Sequence, residues 1–252
     1  MIIIKNSEQI QTMKRAGRIT AEALLVAKDV IRPGISTKEI DTKIRHFIEK
    51  CGAKPSFLGY GGFPGSACIS LNNEVIHGIP SANRILAEGD IVKVDVGACY
   101  RGYNGDSART FAVGKVSDEA LRLISVTEKS FYEAMRFARA GMRVGDIGCA
   151  VESFVISNGF SIVRDYVGHG VGAQLHEDPE IPNFGRAGRG ARLYSGMTLA
   201  IEPMVNAGTP SVRVLKDGWT VTTADGALSA HYENSIVVTD TDPIILTDPD
   251  IE

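Results

Sequence analysis

Residues 107 positions apart agree along this chain. Arg32 matches Arg139, Gly34 matches Gly141, Ile40 matches Ile147, Gly52 matches Gly159, Gly89 matches Gly196, and Asp95 falls on Glu202. One match would be coincidence. Six in a single register, several at expected helix ends, indicate a duplicated helix–helix–strand unit. The duplication constrains the fold, because a pseudo-twofold axis brings the equivalent strands to the middle of the molecule. Each strand is apolar and ends in an acid, Ile91 to Asp95 in one copy and Met197 to Glu202 in the other. Two carboxylates then face each other in the core, where an ionised acid is costly unless it is paired or bound to a metal. Lys93 can pair with Asp95 only if both lie on one face of the strand. Glu202 has no cation near it.

Apolar residues at Ile10, Met13, Ala16, Ile19, Ala23, Leu24, Ala27 and Ile31 have helical spacing behind a capping Ser7, and Pro33-Gly34 ends the run. Ser36 and Glu39 resemble a capping box for a second helix, with Ile40, Ile44, Phe47 and Cys51 on one face and a stop at Gly52. The second copy predicts helices from about Asp118 to Arg139 and from Asp146 to Asn158. Residues 91–96 predict a buried strand, and Met1 to Ile4 a short edge strand. The expected architecture is a single α/β (α+β) domain over 1–252, with pseudo-symmetric halves at about 5–113 and 114–248.

Composition serves to exclude. With 44% hydrophobic and 23% charged residues, the 252-residue chain reads as a globular domain rather than a disordered one. A net charge of −3 without a run of five like charges argues against a DNA or anionic-membrane surface. No stretch approaches the roughly 20 apolar residues of a membrane span, and Met1 to Ile4 is too short for a signal peptide core. Cys51, Cys68, Cys99 and Cys149 form no C-x-x-C pair, which excludes a cysteine zinc site and a stapled framework. A cytoplasmic location is expected.

Several motifs fail on context. Gly168 to Ala173 fits a dinucleotide fingerprint, but His176, Glu177, Asp178, Pro179 and Pro182 stand where a helix should follow. No G-x-S-x-G elbow or phosphate-binding G-x-x-x-x-G-K-[ST] loop occurs, and His176-Glu177 lacks a second histidine because residue 180 is Glu. Acids and histidines in apolar or glycine-rich settings remain. Asp106 follows Asn104-Gly105, a hairpin-turn signal that would fold it back beside Asp95. Glu233 opens the strand at Ile236-Val237-Val238, and His169 lies between glycines. Hard oxygen donors with an imidazole suit Mn²⁺, Fe²⁺, Co²⁺ or Zn²⁺. Four converging carboxylates would balance two such ions. Taken singly, Asp106 reads as a turn residue and His169 as a hydrogen-bonded loop residue.

Val75-Ile76-His77-Gly78-Ile79-Pro80, Lys93-Val94-Asp95-Val96-Gly97, Asn104-Gly105-Asp106, Gly168-His169-Gly170, His176-Glu177, Ile201-Glu202-Pro203, Asp217-Gly218-Trp219 and Tyr232-Glu233 occur together. With them the chain resembles type I methionine aminopeptidases from about residue 5 to 248. The resemblance implies a duplicated pita-bread fold around an antiparallel-rich sheet with a buried dimetal site. Asp95, Asp106, His169, Glu202 and Glu233 would hold two divalent ions (Co, Mn, Fe or Zn), and hydroxide would attack the scissile carbonyl. Glu202 would shuttle the proton, His176 would bond the carbonyl oxygen, and His77 would contact the leaving nitrogen. Phe57, Tyr60, Phe63, Cys68, Leu175 and Trp219 would form the methionine pocket. The implied substrates are peptides and nascent chains with N-terminal methionine and a small second residue. A monomer is expected, with ribosome contact as part of that role.

The chain departs from the family pattern in places. Phe57 stands for a more usual cysteine, Gly61 for histidine, Phe63 for tyrosine and Leu175 for phenylalanine or methionine. His231 and Asn234 replace a more usual glutamine and histidine around Glu233. These departures bear on pocket shape, metal preference and rate. The short length fits the bacterial type I form, without the extra N-terminal domain of prolidases. An Xaa-Pro hydrolase and a binding module that has lost catalysis are the competing readings.

Overall fold

The computed structural model describes residues 1–251. Two helices, α1 (Ser7–Val30) and α2 (Thr37–Lys50), precede β1 (Lys54–Pro55), β2 (Ala67–Leu71), β3 (Glu74–Ile76), β4 (Ile91–Tyr100) and β5 (Tyr103–Ala112). A second helix pair, α3 (Asp118–Met135) and α4 (Val144–Ser157), precedes β6 (Ser161–Ile162), β7 (Gly168–Gly170), β8 (Glu177–Ile181), β9 (Thr198–Ile201) and β10 (Met204–Asn206). The chain ends with β11 (Val212–Val214), β12 (Val221–Thr223), β13 (Ser229–His231), β14 (Asn234–Val237) and β15 (Ile244–Ile245). The strands pair antiparallel in four sheets.

The 107-residue spacing recurs in the hydrogen bonds. Gly34 N–H reaches Leu86 O at 2.8 Å, and Gly141 N–H reaches Leu193 O at 3.0 Å. Isolated bridges join Ser36 to Ile85 and Arg143 to Arg192. Gly34 and Gly141 share the left-handed region, with φ of 89° and 92°. Each helix pair covers its own apolar cluster. Ile19, Ile40, Ile44, Val92 and Val94 lie in one; Leu123, Phe131, Ile147, Val151 and Leu199 lie in the other.

Beyond the acid-bearing strands the offset changes. Val113 N–H bonds Asp90 O at 2.9 Å, and Val238 N–H bonds Met197 O at 2.8 Å. Asp90 and Met197 still differ by 107, but Val113 and Val238 differ by 125. The extra residues lie between β10 and β13 and include β11 and β12, which pair with each other, β12 also pairing with β3 of the first half.

β4 and β5 form an unbroken hairpin from Ile91↔Ala112 to Tyr100↔Tyr103. The turn is Arg101-Gly102, both at positive φ (49° and 83°), as a two-residue hairpin loop requires. This corrects the expected turn at Asn104-Gly105, which lies inside β5. The Asn104 side chain is used elsewhere: Nδ2 donates to Gly172 O at 2.9 Å, and Oδ1 accepts from Ser56 Oγ at 2.8 Å. Helix α1 lies directly on this hairpin, because a Cβ on Gly105 would come within 2.7 Å of Gly17 Cα.

Other boundaries also move. Asn6, not Ser7, caps α1, with reciprocal 2.9 Å bonds to Gln9. Helix α3 stops at Met135, short of Arg139, and turns through a Phe137 N–H to Ala134 O bond of 2.9 Å. Helix α4 starts at Val144, where Arg143 and Asp146 make the capping contact. Met1 to Ile4 joins no sheet. The segment is fixed instead at Lys5, whose N–H bonds Gly196 O at 2.8 Å and whose ammonium pairs with Glu177 in a buried setting.

Candidate metal centre

The β4–β5 register places the first two acids. Asp95 lies opposite Ala108 and Asp106 opposite Gly97. The two aspartates are therefore diagonal neighbours on one face of the hairpin. Gly97 between them leaves room, since a Cβ there would come within 2.8 Å of the Phe57 ring. Lys93 does not pair with Asp95: its Nζ donates to Asn72 O at 2.7 Å.

The second half supplies the other donors. Glu202 follows β9 directly, its backbone O fixed by Asn183 Nδ2 at 2.9 Å. Glu233 sits between β13 and β14. Its N–H bonds Ala108 O at 3.0 Å, which brings the two halves together at the acids. His169 lies in β7 with Nδ1 2.8 Å from Gly170 O. A carbonyl only accepts, so Nδ1 carries the proton and Nε2 of the neutral ring offers a lone pair. That Nε2 is 3.6 Å from Glu202 Oε1 and 3.9 Å from Asp106 Oδ2.

Asp106, His169 and Glu233 are buried, and Asp95 and Glu202 are partly exposed. Asp95 Oδ1, Asp106 Oδ1 and Glu233 Oε1 have no hydrogen-bond partner. Burial pushes all four carboxyls up, Asp106 to about 7 and Asp95, Glu202 and Glu233 well above the usual range; for those three the neighbouring acids add to the effect. Burial also lowers His169 to about 4, so its ring is neutral near pH 7. Unpartnered carboxylate oxygens beside a bare imidazole nitrogen form a donor set for a divalent cation. Asp106, His169 and Glu233 bring one donor atom each within 4.8 Å of one another, as do Glu202, His231 and Glu233. Asp95 belongs to neither group but lines the same cavity.

The cavity also holds the remaining expected residues: Phe57, Tyr60, Phe63, Cys68, His77, Leu175, His176 and Trp219. His176 Nδ1 is 2.8 Å from the Tyr60 hydroxyl, and its ring centre is 4.1 Å from that of His169. His77 sits at a φ of 59°, and burial lowers it to about 4. Trp219 is set by Asp217, whose Oδ1 accepts the N–H of Trp219 and of Thr220, each at 2.9 Å. The indole meets the Phe63 ring edge-on with centres 5.2 Å apart. Phe57, Phe63, Cys68 and Leu175 form an apolar wall. Ile76, Tyr166 and Val167 also line the cavity and carry no chemical signature in the sequence. His231 stands out in the sequence only as a departure from the family pattern.

The model of metallopeptidase family M24 matches residues 11–240. A methionine aminopeptidase of Clostridium acetobutylicum is 53% identical over 98% of this chain and 99% of its own length. Methionine aminopeptidase 1 of Bacillus subtilis is 51% identical over the same share of each chain. The crystal structure of methionine aminopeptidase from Thermotoga maritima superposes with a TM-score of 0.97 at 45% identity, covering 98% of this chain and 100% of that one. A prolidase from Pyrococcus furiosus shares the fold, with a TM-score of 0.79 at 24% identity over 99% of this chain and 66% of its own.

Proposed function

This chain belongs to metallopeptidase family M24, has the pita-bread fold, and from that premise we propose that it removes N-terminal methionine from peptides and new polypeptides whose second residue is small. It is a methionine aminopeptidase, a metal-dependent hydrolase. The observation that carries this reading is a single cavity in which buried carboxylates and imidazoles adjoin an apolar wall of aromatic, sulfur and aliphatic side chains. All of 1–252 acts as one catalytic domain of two halves, about 5–113 and 114–248. The recurrent 107-residue spacing and the contribution of acids from both halves support this.

Asp95, Asp106, His169, Glu202 and Glu233 would hold two divalent ions, Co, Mn, Fe or Zn. Ions held there supply Lewis-acid polarisation of the scissile carbonyl and a lowered pKa for the attacking water. Glu202 would move a proton from the attacking water to the departing nitrogen. His176, held at Nδ1 by Tyr60, donates from Nε2 to the carbonyl oxygen. His77 contacts the leaving nitrogen from a ring kept neutral by burial. Phe57, Tyr60, Phe63, Cys68, Leu175 and Trp219 receive the thioether side chain, for which aromatic edges are good partners. Among the described residues no helix is long and apolar enough to cross a membrane. The reading places the enzyme in the cytoplasm as a monomer, meeting nascent chains near the ribosome.

The test strips the protein with chelator and restores Mn²⁺, Co²⁺, Fe²⁺ or Zn²⁺ separately. Metal-dependent methionine release from Met-Ala-Ser, with none of leucine from Leu-Ala-Ser, is the expected result. Cleavage of an Xaa-Pro dipeptide instead would transfer the chain to the other hydrolase class.

A further inference from the structure

His231 is 1% exposed, and neither of its ring nitrogens has a hydrogen-bond partner. Its backbone is pinned from the first half. Thr110 Oγ1 donates to His231 O at 2.8 Å and accepts from His231 N–H at 2.9 Å. The ring therefore has a fixed origin, and its Nε2 points at two acids, 3.6 Å from Glu202 Oε2 and 3.9 Å from Glu233 Oε2. Glu202 is thus divided: Oε1 faces His169 and Oε2 faces His231, each at 3.6 Å. The duplicated register gives the position a counterpart. Gly97 opposes Asp106 in the first hairpin, and Met204 opposes His231 in the second. With offsets of 107 and 125, His231 occupies the place that Asp106 holds in the other half.

We propose that His231 is a positioning residue for the metal-holding carboxylates, and the proposal rests on the functional reading above. Its Nε2–H bonds the Glu202 oxygen that faces away from His169, so that Glu202 presents the other oxygen to the centre. A separation of 3.6 Å is too long for a finished hydrogen bond. Hydrogen bonds in such sites tighten once the site is loaded, and a small side-chain rotation closes the gap. Outer partners of this kind orient the ligating oxygen, and their loss typically costs ~10–100-fold in metal affinity.

The experiment compares the parent with His231→Leu and His231→Gln, the second of which retains a side-chain N–H of similar reach. Calorimetric titration of chelator-stripped protein with Mn²⁺ is expected to show about 10–100-fold weaker binding in His231→Leu and recovery to within about threefold in His231→Gln. Methionine release is expected to lose kcat with KM little changed in His231→Leu. Pulsed EPR of the Mn²⁺ complex is expected to count the same imidazole nitrogens in the parent and in His231→Gln. Loss of one imidazole coupling would make His231 a ligand and overturn the proposal. Parental affinity in His231→Leu, or no recovery in His231→Gln, would also overturn it. If His231→Leu does not fold, His231→Asn, too short to reach Glu202, takes its place. A parent that binds Mn²⁺ yet releases no methionine refutes the functional reading alone, because the titrations still judge His231.

Discussion

The two halves present their acids by different means. In the first, Asp95 and Asp106 come from one continuous hairpin whose ten pairs run without interruption. In the second, the equivalent ladder breaks at Glu202-Pro203 and Tyr232-Glu233, and the intact pieces are only three or four residues long. Register is nevertheless the same on both sides of the break: Ile201↔Asn234 and Met204↔His231 belong to one alignment. The second half thus keeps the frame and opens it where its side chains must turn into the site. The segment that widens the offset to 125 carries Trp219, so the acids come from the repeated frame and part of the cavity wall from what was added to it.

The largest expected effect tests whether the halves contribute equally to the centre. Asp106→Ala and Glu202→Ala, one from each half, should each lower methionine release by at least ~100-fold, since even outer partners of a metal site cost up to that much. If either variant kept near-parental turnover, that half would be dispensable. Stability of the metal-free protein should respond differently. Asp106 is held up to about 7, so the folded state keeps a proton that the unfolded chain releases near its ordinary value. That contribution is full at low pH and is lost as pH rises through 7. The buried histidines, lowered to about 3–4, act in the opposite direction only below about 6.5. Thermal melts of metal-free parent should therefore fall between pH 6.5 and 8, and Asp106→Ala should flatten that decline.

A smaller effect separates the frame from the added segment. Trp219→Ala should leave Mn²⁺ titration unchanged while lowering kcat/KM for Met-Ala-Ser by about 10-fold, the scale at which apolar pocket contacts discriminate. A change in metal binding would mean that the indole supports the centre itself. The smallest effect compares the frames directly. Gly34 and Gly141 have matching positive φ, and nothing lies within 4 Å of a Cβ built on either. Gly34→Ala and Gly141→Ala should each cost about 1 kcal/mol by denaturant unfolding, from backbone strain alone. Unequal costs would show that the two helix junctions are not equivalent.

Much of this was legible in the chain. Asp95 and Glu202 stood out because an acid on an apolar strand needs a reason, and the glycine stops at 34, 52, 141 and 159 fixed the repeat. The rest depended on competition between local signals. Asn104-Gly105 reads as a turn, but Arg101-Gly102 makes the turn because Asn104 is needed by Gly172 and Ser56. Asn6 outcompetes Ser7 for the helix cap because Gln9 reciprocates. The equivalence of Asp106 and His231 was hidden, since a constant offset cannot cross an insertion. His231 has no pattern of its own, and only the fold brings Glu202 and Glu233 to it.

The unbroken hairpin has a consequence for how such a gene can change length. Between Asp95 and Asp106 the chain is a ruler: one codon added within either strand would shift the pairing by a residue and turn a carboxylate to the opposite face. Between Asn206 and Ser229 the chain has already left the ladder and returned to it, and new residues there extend a loop without moving Glu202 or Glu233. Length variation should be sparse in the first interval and common in the second. Related chains can thus reshape what they accept while the distance between their acids stays fixed.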